Sequence, residues 1–236
     1  MRIITYADKY YHRNIEILKS KIDIETLPAV REGFRLYHKF LAVYKYIEKL
    51  PDNEIIVFVD AFDVLPVNKV NKDRLEYAIT STFNLEKITF NAEKLCWPNP
   101  NLAKYFNHIP GEWKYLNSGM YVAKVKKLKP YLHNIIETYI EKLPDNVAFS
   151  YTYAKLNYSD QHYCIKEYVK NNSLIDLDYN CNVFQTLFSG NIHSAPYEKL
   201  IIDKKKKIFY NPVTKTYPLL VHGNGKTILD KVLDIV

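Results

Sequence analysis

Two aspartates, Asp60 and Asp63, directly follow the apolar run Ile55–Val59. This mostly β-branched run is typical of a strand that is buried on both faces of a sheet. On a continued strand the two acids would point to opposite faces, so they converge only if the chain turns after Asp60. Converging carboxylates would bind a divalent cation that keeps coordination sites for phosphate oxygens. Taken alone, the pair fits a helix N-cap about equally well.

A second polar group lies near the carboxyl end of the chain. His222 ends an apolar run, and Gly223, Gly225 and Lys226 follow it. Thr227 is then predicted to cap a final helix. A strand, a glycine loop, a lysine and a helix N-terminus in this order predict a phosphate cradle. The alternative is a simple tight turn, with His222 satisfied in the core.

The elements that must position these residues alternate between strand and helix. The pattern predicts strands at Arg2–Tyr6, Ile22–Leu27 and Ile55–Val59, separated by a helix that ends near Ser20 and a helix at Phe34–Leu50. This order is typical of the first half of a nucleotide-binding α/β domain. The chain has neither a Gly-x-Gly-x-x-Gly nor a Walker motif, which disfavours a dinucleotide enzyme and a P-loop NTPase.

The remainder of the chain continues the alternation without an internal repeat or a linker, so we predict one domain over residues 1–236. Ser159 is expected to cap a helix that runs to about Val169. Further helices and strands are predicted at Lys69–Thr82, Ile88–Phe90, Leu128–Leu143, Val147–Leu156, Leu174–Leu177, Asn182–Leu187 and Leu219–Val221.

Composition narrows the class of protein. The chain has 236 residues, 47% of them hydrophobic and 25% charged, as in soluble globular proteins, with a net charge of +7 that favours a phosphorylated or polyanionic ligand. Lys204–Lys207 is interpreted as the solvated tip of a hairpin rather than a nucleic-acid patch. Cys96, Cys164 and Cys181 show no disulfide or zinc spacing. With no signal peptide and no membrane-spanning run, we expect a cytoplasmic protein without membrane insertion.

Several stretches, in order, resemble the signatures of one family, the glycosyltransferase domain of procollagen lysyl hydroxylases. The resemblance covers the chain from about Ile3 to Thr227. The stretches are Phe58–Val64, Asn91–Glu93 with Cys96–Pro98, Tyr115–Gly119, Asp160–Gln161, Asp176–Asp178 with Phe184–Gln185, and Val221–Gly225.

The resemblance implies an α/β fold of the GT-A type, a single domain with a Rossmann-like mixed central sheet flanked by helices. It implies that Mn²⁺ is held by Asp60, Asp63 and His222, a ligand set that suits such an ion. The cofactor-binding residues would include the loop glycines Gly223 and Gly225. The ion and Lys226 would neutralise the charge of the departing UDP.

The resemblance also assigns residues to the two ends of a UDP-sugar. Phe62 replaces a tyrosine that stacks on uracil, and Thr5 and Tyr6 would contact the nucleoside. Arg35 falls near a lysine that contacts the diphosphate. Four residues would line the sugar and acceptor cleft as the catalytic set, where Trp97 could stack on a sugar face. They are Glu93, Trp97, Asn117 and Asp160.

This sequence departs from the family pattern at two places. Ser159 replaces the first of two acids before the glutamine, which leaves Asp160 as the only acid of that motif. Gly119-Met120 replaces a Gly-Gly pair, a change expected to narrow the cleft. The hydroxylase domain of the family is not included in this chain, and we expect a stand-alone transferase.

The function implied is transfer of glucose from UDP-glucose to galactosyl-hydroxylysine of a collagen-like polypeptide, with retention of configuration. The first alternative is a hydroxylysine galactosyltransferase that uses UDP-galactose. A catalytically degenerate sugar- or collagen-binding module is the second, suggested by Ser159. A basic nucleic-acid-binding protein is disfavoured, because acids at strand ends would repel phosphate unless a metal lay between them.

Overall fold

The computed structural model describes residues 1–7, 13–30, 35–143, 159–188, 199–225, 227 and 229–236. Within these ranges, apolar runs of three to ten residues form eleven strands. They are β1 (Arg2–Tyr6), β2 (Ile24–Leu27), β3 (Ile55–Val59), β4 (Val64–Pro66), β5 (Ile88–Glu93), β6 (Tyr115–Lys124), β7 (Ile175–Asp178), β8 (Phe184–Thr186), β9 (Ile201–Asp203), β10 (Ile208–Tyr210) and β11 (Leu220–His222).

Stretches with helical periodicity form six α-helices in the described ranges, and one of them continues into a π turn at Ile136–Ile140. Two 3₁₀ segments lie at Pro100–Phe106 and Asn172–Leu174. The α-helices are α1 (Arg13–Ile22), α2 (His38–Ile47), α3 (Lys72–Thr82), α4 (Val125–Ile135), α5 (Asp160–Lys170) and α6 (Asp230–Leu233).

The central sheet has the strand order β2-β1-β3-β6-β5-β7. It is mixed, because β6 runs antiparallel to both β3 and β5 whereas the other pairs are parallel. Apolar side chains of α2, α4 and α5 pack on one face, and those of α1 and α3 pack on the other. The predicted α/β architecture with a mixed central sheet between helices is confirmed.

Strands β4, β11 and β8 form a second sheet, in which β4 follows the end of β3 and the Thr186 hydroxyl of β8 donates to the Ala92 carbonyl near the end of β5 (2.7 Å). Because β11 pairs antiparallel with β4, His222 lies opposite Val64, the residue that follows Asp63. The register therefore brings the last strand of the chain to the end of β3. This pairing is the step that unites the two polar groups of the sequence.

Several predicted boundaries shift. Helix α2 starts at His38, later than the predicted Phe34, and ends before Pro51 at Ile47. Strand β5 extends to Glu93, because a register shift after Phe90 lets it continue along β6. The expected cap of the last helix is wrong: α6 begins at Asp230, and the Thr227 hydroxyl donates to the Asn224 carbonyl (2.8 Å) instead. The predicted helix 147–156 lies outside the described residues.

Surface features mostly follow expectation. The Lys204–Lys207 segment is the turn between the antiparallel strands β9 and β10, as predicted. The three cysteines are buried free thiols. In the described ranges, no helix has both the length and the apolar character needed to cross a bilayer.

Candidate active site

The two aspartates converge because residues 61–63 form a turn between β3 and β4. His222 comes beside them from β11. One ligand atom from each of Asp60, Asp63 and His222 lies within 4.8 Å of the others. The His222 Nε2 atom is 3.2 Å from Asp63 Oδ2 and 3.8 Å from Asp60 Oδ2. The helix-cap alternative is wrong, since this turn leads into a strand.

The composition of this cluster fits a divalent metal. Two carboxylates and one imidazole suit a borderline or hard ion such as Mn²⁺, and three protein ligands leave positions for other oxygens. The chain also keeps the space clear. A Cβ atom added at Gly119 would lie 2.2 Å from His222 Cε1 and 2.8 Å from Asp60 Oδ2. Only glycine therefore fits between the ligands.

The acids and the histidine of the cluster shift one another's protonation. Burial, opposed by Lys39 and reinforced by Asp63, raises the pKa of Asp60 to about 6. Burial also disfavours the Asp63 carboxylate, but the charge and hydrogen bond of His222 outweigh it and lower the pKa of Asp63. Burial likewise disfavours the imidazolium of His222, yet Asp63 and Asp60 raise its pKa overall. Asp60 and Asp63 therefore favour a positive charge beside them, which is the proton on His222 when no cation is bound.

Lys39 is a functional candidate that the sequence analysis missed. This lysine is almost fully buried on α2, and its Nζ lies 2.9 Å from Asp60 Oδ1 and 2.6 Å from Asp160 Oδ2. Burial favours the neutral amine, but Asp160 and Asp60 outweigh it and raise the pKa of Lys39. The ammonium thus links the metal cluster to the acid of the next motif. A lysine on the apolar face of a helix was the signal that could have revealed it.

Asp160 is held at the N-terminus of α5. Ser159 caps this helix, and its hydroxyl accepts a hydrogen bond from the His162 N–H (3.3 Å). The Ser118 hydroxyl donates to Asp160 Oδ2, the oxygen that also faces Lys39. The predicted cap is confirmed. Ser159 therefore has a clear structural role, and Asp160 is fixed by two neighbours that face the cavity.

Glu93 is the centre of a buried network. Its Oε1 atom accepts hydrogen bonds from the Asn117 amide (3.2 Å) and the Gln161 amide, and its Oε2 accepts one from the Asn224 amide (2.8 Å). The Gln161 amide also donates to the Trp97 carbonyl (2.8 Å). One carboxylate thus joins strands β5 and β6, helix α5 and the loop after β11. Burial raises the pKa of Glu93 to about 7 despite these three donors.

These residues surround one cavity of about 300 Å³. Its walls combine the acids and amides described above with three larger apolar side chains, Leu36, Trp97 and Phe188. All four residues of the predicted catalytic set line it: Glu93, Trp97, Asn117 and Asp160. Leu36 and Phe188 were not predicted as site residues: Leu36 was expected inside the helix Phe34–Leu50, which in fact begins at His38, and no motif marks Phe188.

The residues assigned to the nucleoside lie at the ends of two adjacent strands. Thr5 is the second-last residue of β1, and its hydroxyl donates to the Val59 carbonyl (2.7 Å). Tyr6, the last residue of β1, is also buried. Phe62 is half-buried in the turn after β3, with its carbonyl accepting a hydrogen bond from the Asn14 amide (2.6 Å). Phe62 lies between Asp60 and Asp63 in the sequence, but none of the three side chains lines the cavity.

Arg35 and the C-terminal loop are placed as follows. Arg35 is exposed before α2 and does not line the cavity, whereas Lys39, one turn later, does. The Gly223 N–H donates to the Asp63 carbonyl (2.7 Å). Gly225 lines the cavity with a φ of +65°, which glycine adopts without strain. Lys226 lies outside the described residues.

Met120 does not narrow the cleft. Gly119 faces His222 and Asp60 on one side of β6. Met120 is fully buried on the other side, where it packs with Val57, Val59 and Val122. The expectation is wrong because side chains alternate along a strand, so Gly119 and Met120 face different sides of the sheet.

The Glu93→Gln variant is expected to change how stability depends on pH. The folded-state pKa of Glu93 is about 7, above its usual 4.5, so folded protein binds this proton more strongly than unfolded protein does. The free energy of unfolding of the wild type, relative to the variant, should therefore fall by about 2–3 kcal/mol between pH 4.5 and 7.5. Urea denaturation at intervals across this range measures the difference.

Glu86→Gln is the contrasting control for this experiment. Lys124 and Lys126 lower the pKa of the Glu86 carboxyl to about 2, so Glu86 stays ionised over the whole range. Above about pH 5.5, where the carboxyl is ionised in the unfolded state as well, the free energy of unfolding of Glu86→Gln should depend on pH as that of the wild type does. If the free energy of unfolding of Glu93→Gln also depends on pH as that of the wild type does, burial does not raise the pKa of the Glu93 carboxyl.

Comparison with known proteins assigns the chain to a family. The family model described as the PLOD GT domain matches residues 32–233. The chain is 25% identical over 179 residues to uncharacterized protein R699 of Acanthamoeba polyphaga mimivirus, covering 76% of this chain and 33% of that protein. It is 26% identical over 188 residues to the human multifunctional procollagen lysine hydroxylase and glycosyltransferase LH3, covering 78% of this chain and 22% of that protein. The chain thus spans a third or less of the length of these two relatives.

Solved structures show the same fold. A glycosyltransferase involved in the glycosylation of the major capsid of PBCV-1 superposes with a TM-score of 0.56 at 10% identity, covering 100% of this chain and 98% of that one. Mouse xyloside xylosyltransferase 1 gives a TM-score of 0.52 at 13% identity, covering 96% and 98%. The fold is that of GT-A glycosyltransferases. The match of the family model over residues 32–233 shows that the chain belongs to the PLOD GT domain family, the glycosyltransferase domain found in procollagen lysine hydroxylases.

Proposed function

We propose that this protein is a Mn²⁺-dependent hexosyltransferase that transfers glucose from UDP-glucose to galactosyl-hydroxylysine of a collagen-like polypeptide, with retention of configuration. The observation that carries this proposal is the convergence of Asp60, Asp63 and His222 at a cavity that also holds Lys39 and Asp160. Such a cavity offers cation ligands and hydroxyl-binding groups side by side, as a nucleotide-sugar donor requires.

The metal cluster is assigned to the diphosphate of the donor. Asp60, Asp63 and His222 would hold Mn²⁺, which when bound supplies Lewis acidity toward the UDP leaving group. Lys226 is assigned to the same phosphates. Arg35 is proposed for the same role, although among the described residues Lys39 lines the cavity and Arg35 does not.

The nucleoside is assigned to the ends of β1 and β3. Phe62 is proposed to stack on the uracil ring, and Thr5 and Tyr6 to contact the nucleoside. Since the Thr5 hydroxyl donates its hydrogen to the Val59 carbonyl, it can only accept hydrogen bonds from a ligand. Phe62 provides a flat face without a hydroxyl, so it supports stacking alone.

The sugar and the acceptor are assigned to the opposite wall of the cavity. The Asp160 carboxylate would accept hydrogen bonds from sugar hydroxyls, and Lys39 would hold it in place. Trp97 would stack on a sugar face, and Asn117 would bind a hydroxyl. Glu93 is fully engaged by three amide donors, so we assign it to holding Asn117 in place.

A second candidate function is a sugar-binding module without turnover. It is favoured by Ser159, which stands where the family has an acid and which serves as a helix cap here. Asp160, the remaining acid, is occupied by Lys39 and Ser118. A protein of this kind would bind UDP-sugar without transferring the sugar.

Release of UDP from UDP-glucose and from UDP-galactose, measured with Mn²⁺ and with or without a galactosyl-hydroxylysine peptide, tests the proposal. We expect turnover with UDP-glucose that the peptide stimulates. Preference for UDP-galactose with a hydroxylysine peptide would establish the galactosyltransferase instead. UDP binding without turnover from either donor would establish the binding module.

The Ser159→Asp variant tests whether an absence of turnover is caused by the serine at this position. Aspartate caps helices as well as serine does, so the variant should keep α5 while restoring the acid of the family pattern. If the wild type is inactive and the variant gains turnover, the loss of activity is due to this position. If both are inactive, the acid is not the cause.

A further inference from the structure

A second cavity among the described residues is larger than the candidate active site. It is a groove of about 640 Å³ that follows strand β7, the edge strand of the central sheet. Residues from both faces of β7 line it, including Asp176 and Leu177, so the groove wraps around the outer edge of the sheet. The end of α3, the loop at 108–110 and the end of α5 form its other walls.

The chemistry of this groove is polar but electrically balanced. Lys87 and Asp176 form an ion pair across it (2.9 Å). The Asp178 carboxylate is buried and accepts hydrogen bonds from three backbone N–H groups at residues 182, 183 and 184. The groove therefore has no uncompensated charge with which to bind a phosphate or a basic peptide.

The remaining lining groups suit hydroxyls. Side-chain amides and hydroxyls predominate at the rim, and an amide or a carboxylate can exchange two hydrogen bonds with neighbouring hydroxyls of one sugar. The contributing residues are Thr82, Asn84, Asn172, Ser173, Asn180 and Asn182.

The groove also provides a flat aromatic surface. The exposed ring of His108 lies parallel to Tyr168, at an angle of 4° and a centroid distance of 6.4 Å, and Tyr168 stacks on Phe106 at 4.5 Å. The Tyr168 hydroxyl is 3.1 Å from His108 Nε2, which fixes the imidazole in this position. A fixed ring next to many hydroxyl-binding groups is a common arrangement at carbohydrate sites, because sugars present both apolar C–H faces and polar edges.

We infer that this groove is a second, non-catalytic binding site for a neutral oligosaccharide. The groove is close to the active site, because Thr89 in the groove and Glu93 in the active site are four residues apart on β5, a distance of roughly 13 Å. A glycan or glycosylated polypeptide could therefore be held in the groove while another of its sugars is in the active site. Such tethering raises the effective concentration of the acceptor. An extended polypeptide is less well matched, because β7 has only four residues to offer backbone hydrogen bonds.

A glycan array tests this inference. The wild-type protein is applied to an array of neutral glycans that includes maltotriose, cellotriose and lactose, and ligand-observed NMR then measures its binding to a glycan selected on the array. The double variant Lys87→Ala/Asp176→Ala removes both members of the ion pair and so leaves no unpaired charge. We expect it to bind the selected glycan at least about tenfold more weakly, because both groups line the groove and, while paired with each other, each can still hydrogen-bond a sugar hydroxyl. Asn172→Ala should also weaken binding.

The double variant Lys72→Ala/Asp23→Ala is the matched control, because it removes an ion pair of similar length (3.1 Å) on another part of the surface. It should bind glycan as the wild type does. Binding of no neutral glycan, or equal binding by both double variants, would overturn the inference. So would binding of an unglycosylated Gly-Pro-Pro repeat peptide in place of glycan. None of these outcomes depends on transfer activity, so they are separate from a failure of the proposed function.

Discussion

Asp63→Ala is expected to abolish Mn²⁺-dependent sugar transfer and to weaken Mn²⁺ binding by more than about a hundredfold, since even the loss of an outer-shell partner costs ten- to a hundredfold. The substitution removes one of three converging ligands, and it leaves His222 without the carboxylate that lies 3.2 Å from its Nε2. Isothermal titration with Mn²⁺ and UDP release from UDP-glucose measure the two effects.

The pH dependence of Mn²⁺ binding adds a second readout. The metal can bind only when His222 is neutral and Asp60 is ionised. Since the pKa of His222 is raised and that of Asp60 is about 6, affinity for Mn²⁺ should fall as the pH is lowered from 7.5 to 5.5. Asp52→Ala, on an exposed turn, is the control and should behave as the wild type does. Unchanged affinity and turnover in Asp63→Ala would refute the assignment of the metal site.

Gly119→Ala is expected to inactivate the protein although it adds only one methyl group. The new Cβ would lie 2.2 Å from His222 Cε1, 2.7 Å from His222 Nδ1 and 2.8 Å from Asp60 Oδ2. His222 is buried and its strand is paired on both sides, so it cannot move away easily. The ligands must separate, which removes the metal site. Overpacking of this kind should also cost about 1–3 kcal/mol of folding free energy.

Gly111→Ala is the matched control for this substitution. No heavy atom lies within 4 Å of a Cβ added at Gly111, although its φ of +84° makes any other residue strained. We expect Gly111→Ala to lose roughly 1 kcal/mol of stability and to keep Mn²⁺ binding and turnover. Thermal unfolding, Mn²⁺ titration and UDP release on both variants separate the two effects. Retained Mn²⁺ affinity in Gly119→Ala would show that the three ligands do not share one ion.

The three residues of the metal cluster could be predicted from the sequence because each lies close to the end of an apolar run. The apolar run before Asp60 predicts a buried strand, and the second acid at Asp63 requires a turn if the two are to meet. His222 also follows an apolar run. These local signals placed all three residues at strand ends, and the resemblance to a known family joined them.

The rest of the site depends on contacts between residues far apart in the chain. Lys39 pairs with Asp160, and no local pattern relates one helix to the first residue of another helix 121 positions later. Glu93 receives hydrogen bonds from three different segments, so its role as a network centre emerges only when all of them are folded. Met120 was misplaced for a simpler reason: the alternation of side chains along β6 was not applied to the Gly119-Met120 pair.

The distribution of the metal ligands over two sheets has a consequence for the folding of the chain. Asp60 lies at the end of a central strand, whereas His222 ends the middle strand of the small sheet, and Asp63 precedes a strand of that same sheet. Any cation held by the three residues would fasten the small sheet to the large one. By mass action, a cation at a hundred times its dissociation constant would stabilise this junction by about 2.7 kcal/mol. Availability of metal would then set how firmly the C-terminal part of the protein is docked, as well as whether it can bind a donor.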